Sequence, residues 1–101
     1  MRKPARSGAP RVRWYLIRAL EASRPVAASE TLLCDVLDGA DMRVTARDVR
    51  RDLDFCRLAG LVEIDQRDPD LWSASLTLKG VLYASGEGED ITGIDRPREG
   101  L

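Results

Sequence analysis

Residues 45–64 read TARDVRRDLDFCRLAGLVEI, and this stretch decides the fold. Val49, Leu53 and Cys56 stand at i, i+4 and i+7, the spacing that gathers side chains on one face of an α-helix, with Ala46 and Phe55 flanking them. Thr45 supplies a hydroxyl N-cap, and Asp48, three positions on, completes a capping box with aspartate in the glutamate position. Ala59-Gly60 predicts the end of this helix, because glycine takes the left-handed C′ conformation without steric penalty. Beyond it Leu61 to Asp65 alternates as a strand does, Val62 and Ile64 on one side and Glu63 and Asp65 on the other.

Working outward, Gln66 to Asp70 is rich in turn formers and Trp72, Ala74 and Leu76 alternate on the return, which predicts a β-hairpin. Thr77 caps a short helix through about Ser85, expected to turn Leu78, Val81 and Leu82 inward and to stop at Gly86. Gly80 weakens that helix by roughly 1 kcal/mol relative to alanine. Upstream, Ser29 opens a helix with Leu32, Leu33, Val36 and Leu37 inward and Gly39 as its stop. Val12, Leu16, Ala19 and Leu20 recur at helical spacing, with Ile17 widening the stripe, until Arg24-Pro25 ends the first helix. The fold class is mainly α with a small β-hairpin (α+β). Residues 1–10 are expected to be a flexible basic arm, 11–86 the folded domain, and 87–101 a glycine-rich tail in which Ile91 and Ile94 can pack on the domain or on a partner.

A chain of 101 residues has room for one such domain, and 44% hydrophobic with 33% charged residues suits a core beneath a charged surface. The net charge of -1 gives no global sign of a nucleic-acid partner, so charge placement has to carry that question. Residues 1–18 hold Arg2, Lys3, Arg6, Arg11, Arg13 and Arg18 without an acid, whereas residues 85–101 hold Glu87, Glu89, Asp90, Asp95 and Glu99 against Arg96 and Arg98. No apolar run approaches a membrane span or a secretory signal, so a cytoplasmic protein with no membrane partner is expected. Cys34 and Cys56 fall inside apolar helical patterns, as reduced core cysteines do. Histidine is absent, there is no glycine-rich phosphate loop or nucleophile elbow, and the carboxylates are scattered. Neither catalysis nor a cofactor is expected.

The segment 45–64, followed by Leu76-Thr77-Leu78-Lys79-Gly80, resembles the winged helix-turn-helix repressors of prokaryotes over roughly residues 11–86. The combination of Leu76-Thr77-x-x-Gly80, Gly86 and Ile91-Thr92-Gly93-Ile94-Asp95-Arg96-Pro97 is similar to a set of short conserved proteins of Mu-like transposable phages and prophages, often described as ArsR-like regulators. That likeness implies a winged helix whose third helix reads DNA. Off its buried stripe this helix carries Arg47, Arg50, Arg51, Asp54 and Arg57; arginine can contact guanine bidentately or pair with phosphate. The alternative reading of this face is a solvated one, with Asp48, Asp52 and Asp54 balancing the arginines.

Within the resemblance, Thr45 caps the recognition helix, Arg67 stands in the wing, and Arg11 and Arg13 add backbone contacts to double-stranded DNA. The wing departs from a DNA-binding one, since Arg67 is accompanied by Asp65, Asp68 and Asp70. ArsR-like repressors can hold metal through a cysteine pair on a helix, but Cys34 stands alone in Glu30 to Asp35, so no metal site is expected. Trp14, Tyr15 and Tyr83 either cover the interface of a homodimer or close one monomer's core. Two functions remain: a phage or prophage transcriptional regulator that binds DNA, or a winged-helix module that binds a phage or host protein in replication or assembly.

Overall fold

A computed structural model describes residues 9–97 of the chain, so Arg2, Lys3 and Arg6 of the expected arm, and Arg98 and Glu99 of the tail, lie outside the described residues. Helix α1 (Ala9–Ser23) starts two residues before the expected boundary, because Pro10 fits a first helical turn, where its missing N–H has no helical acceptor to lose. It buries Val12, Leu16, Ile17 and Leu20, as the spacing predicts, together with Trp14. A short strand, β1 (Ala28–Ser29), leads into α2 (Glu30–Gly39). Then come α3 (Ala46–Leu58), strands β2 (Val62–Asp68) and β3 (Leu71–Leu76), and α4 (Leu78–Ala84). The described residues thus make a compact α+β domain of four helices and a small antiparallel sheet in the order β1-β3-β2.

β1 has too few residues to show alternation, and only the sheet reveals it: Ala28 pairs with Ala74 and Ser29 with Ser73. Ser29 also caps α2, its Oγ accepting from the Leu32 N–H at 3.1 Å, which ties the start of that helix to the sheet. β2 runs on through Asp68, so most of the expected turn is strand and only Pro69-Asp70 separates β2 from β3. A bulge between Ile64 and Gln66 absorbs the extra residue and interrupts the alternation at Asp65.

Three helices end in the same hydrogen-bond pattern. After α3, Gly60 (φ +83°) donates to the Arg57 carbonyl and Leu61 to Cys56, which satisfies two carbonyls that have no helical partner. Gly86 and Glu87 repeat this after α4. After α2 the left-handed residue is Asp41 (φ 65°) and not the expected Gly39, which stays in the helix; a short polar side chain tolerates this conformation.

Two expectations about facing need correction. In α2, Leu33 and Leu37 are buried while Leu32 and Val36 are exposed, because the helix packs along a single i, i+4 stripe. In α4 the buried positions are Gly80 and Tyr83, while Leu78 and Leu82 face outward. The cause is Gly80: a Cβ there would stand 2.0 Å from the Leu61 carbonyl oxygen, so α4 meets the backbone following α3 directly and presents that face inward. The residues from Glu87 fold back on the domain, burying Ile94 and joining Asp95 N–H to the Pro10 carbonyl at 3.0 Å. No helix among the described residues is long and apolar enough to cross a membrane.

Candidate nucleic-acid interface

Helix α3 begins at the capping box expected for it: Thr45 Oγ1 accepts from Asp48 N–H at 3.1 Å, and Asp48 Oδ2 accepts from Thr45 N–H at 3.0 Å. Val49, Leu53 and Cys56 are fully buried. The same stripe carries Asp52, only 1% exposed, and not among the solvated acids of the outer face where the charge pattern alone would put it. Its position was legible, since residue 52 lies i+3 from Val49 and i−4 from Cys56. Its partner is Arg13 of α1, whose Nε donates to Asp52 Oδ1 at 2.9 Å. Arg13 Nη1 also donates to the Gly93 carbonyl at 3.0 Å, and the guanidinium lies 3.8 Å from the Phe55 ring centre. Burial pushes the Asp52 carboxyl above the usual carboxylate range, with the Arg13 hydrogen bond and charge opposing it. Arg13, expected as a DNA contact, therefore joins α1, α3 and the C-terminal segment inside the domain.

Arg50 is also committed internally. Its Nε and Nη2 grip both oxygens of Glu30 at 2.6 and 2.8 Å, and Nη2 reaches the Pro69 carbonyl at 3.2 Å. The bidentate hydrogen bond from Arg50 holds the buried Glu30 carboxyl below its usual range, against desolvation. Trp72 of β3 has two guanidiniums near its ring, Arg50 5.2 Å and Arg67 4.4 Å from the ring centre. Arg67 in turn donates to Asp54 Oδ1 at 2.9 Å, and Arg57 donates to the same oxygen at 3.1 Å. Desolvation would raise the Asp54 carboxyl, but these hydrogen bonds hold it below the usual range. Glu30, Asp54 and Trp72 thus fasten α2, α3 and the hairpin into one surface.

What α3 leaves to solvent is Arg47 and Arg51. Arg47 is exposed and makes no ion pair or side-chain hydrogen bond among the described residues. Arg51 keeps only long contacts, 3.4 Å to Asp48 and 3.9 Å to Asp52. Arg43, not singled out in the sequence, is exposed just before the Thr45 cap. Arg11 is exposed on α1, 5.7 Å from the Tyr15 ring centre. At the hairpin, Asp65 and Asp70 are exposed and Asp68 Oδ1 accepts from Asp70 N–H at 2.9 Å.

Trp14 and Tyr83 pack edge to face, 6.2 Å between centroids, and both are buried within this one chain; Tyr15 is only half-buried. Cys56 is buried and Cys34 half-buried, both free thiols; burial pushes the Cys56 thiol up to about 12. Among the described residues no three His, Cys, Asp or Glu side chains are placed to hold a metal ion. Comparison of the chain with family models, with curated proteins and with solved structures finds no match.

Proposed function

We propose that this chain is a winged helix-turn-helix protein that binds double-stranded DNA without catalysis, a transcriptional regulator of phage or prophage type working as a cytoplasmic homodimer. One observation carries it: the solvent side of α3 offers Arg47 and Arg51, with Arg43 beside the cap, while the acids of the same helix are committed to capping or to other arginines. The element order supports the proposal, with α2 and α3 as the helix-turn-helix and β2-β3 as the wing. In this reading Arg47 and Arg51 meet bases or phosphates, and Arg57, Arg67 and Arg11 add outer contacts. Arg50 and Arg13 instead set the position of α3. Tyr15, with Arg11 and Arg18 on the outer side of α1, is the aromatic group left for a dimer contact.

Titrating labelled duplex DNA by fluorescence polarisation across a salt series tests the proposal. Binding should weaken steeply with salt, and Arg47→Ala and Arg51→Ala should each lower the salt slope by about one. Absence of salt-dependent binding at micromolar protein would refute it. A second function, protein recognition by the same module, is favoured by the hairpin tip, where Asp65, Asp68 and Asp70 outnumber Arg67 and repel phosphate.

A further inference from the structure

Beyond α3, the C-terminal segment forms a surface that DNA binding does not use. Arg96 spends all five of its N–H donors there. Nε and Nη2 donate to Asp90 Oδ1 at 3.1 and 2.8 Å, Nη1 to the carbonyls of Tyr83 and Glu87 at 3.1 and 2.7 Å, and Nη2 to that of Gly88 at 2.9 Å. The guanidinium also lies 4.1 Å from the Tyr83 ring centre. A glycine-rich acidic stretch is thereby held in one conformation against α4.

Between that stretch and α4 lies a cleft of about 520 Å³, with Leu82 and Ile91 as apolar lining and Glu87, Glu89 and Asp90 as a carboxylate rim. Glu87 and Glu89 are exposed and pair with no cation among the described residues. Leu78, one turn before Leu82, is 75% exposed and extends the apolar strip along α4. Lys79, the cation lining the cleft, is turned to the Ala59 carbonyl at 3.0 Å. An apolar floor beneath unpaired carboxylates is complementary to a side chain that is apolar along its stem and cationic at its head.

The geometry points to this α4–tail cleft as a docking site for a basic, apolar-faced peptide segment of a partner protein. The partner's leucine-like side chains lie on Leu78, Leu82 and Ile91, and its lysines or arginines meet Glu87 and Glu89. Arg96 fixes the rim beforehand, so little chain ordering opposes binding.

The full chain is titrated with a fluorescein-labelled peptide of repeating Lys-Leu-Leu-Lys pattern and with its Glu-Leu-Leu-Glu counterpart. The cationic peptide is expected to bind and the acidic one not. Glu87→Gln with Glu89→Gln should weaken binding about five-fold, and Leu82→Ser a further five-fold or so, with circular dichroism and duplex DNA affinity unchanged. Backbone amide shifts should fall on residues 78–91. Unchanged peptide affinity in both variants, or shifts centred on α3, would overturn the inference. Sedimentation showing that Leu82→Ser dissolves a dimer of the unmodified chain would also overturn it, by giving the cleft to a second copy.

Discussion

Breaking the Arg13–Asp52 pair from its two sides is expected to give two different pH profiles. Asp52→Ala strands a guanidinium that is 15% exposed. Removing one partner of a buried pair costs about 3–5 kcal/mol; Arg13 keeps the Gly93 carbonyl and the Phe55 ring, which puts this loss near 3 kcal/mol. For a domain of this size that lowers the thermal midpoint by about 12–24 °C. A guanidinium stays charged wherever the protein folds, so the loss is flat with pH. Arg13→Met strands the carboxylate, which burial already holds above its usual range. An acid raised on folding destabilises when ionised, and that penalty fades as pH falls through the folded pKa towards the unfolded one. The Arg13→Met loss should therefore be about 3 kcal/mol near neutral pH and shrink as the solution is acidified. Replacing both at once, Arg13→Met with Asp52→Leu, should return stability to within about 1–2 kcal/mol of the original chain. Urea unfolding followed by circular dichroism at three pH values measures all of this. Identical pH profiles for the two single variants, or losses that simply add in the double variant, would refute the reasoning.

Gly80→Ala should abolish the native fold or lower stability by more than about 3 kcal/mol, seen as lost cooperativity in thermal melts, because the new methyl meets the Leu61 carbonyl oxygen. Thr45→Ala should cost about 1 kcal/mol in urea unfolding and leave α3 otherwise intact, since only the cap is lost. Glu30 and Asp54 have lowered folded pKa values, so their stabilisation is present above the usual carboxylate range and is lost as pH falls below it. Acid titration of Glu30→Gln should show a shallower acid limb than the original chain. In thiol labelling, Cys34 should react first and Cys56 only on unfolding, because its buried thiol resists ionisation.

The parts of the fold that rest on local chemistry were legible: α3 with both its ends, the hairpin, and the caps at Ser29 and Thr77. What stayed hidden depends on distant partners. β1 consists of two residues whose pairing exists only once β3 lies beside them. The inward face of α4 is set by backbone contact at Gly80, which outweighs the apolar spacing of Leu78 and Leu82. Among the arginines, charge pattern could not separate Arg50, held by Glu30 from another helix, from Arg47, which has no such partner among the described residues. Arg96 was invisible for a similar reason, since four of its five hydrogen bonds go to Glu87, Gly88 and Asp90, in a stretch that reads as tail.

The tie from Glu30 through Arg50 to the Pro69 carbonyl has a thermodynamic consequence for any partner lying along α3. The hairpin tip and the helix meet that partner already fixed at one spacing, so association proceeds as rigid-body docking with little loss of chain entropy on this side. The heat-capacity change of binding should then match the area of the contact alone, without the excess that accompanies coupled folding. Loosening the tie by Glu30→Gln should show first as a more unfavourable binding entropy, before any contact residue has been altered.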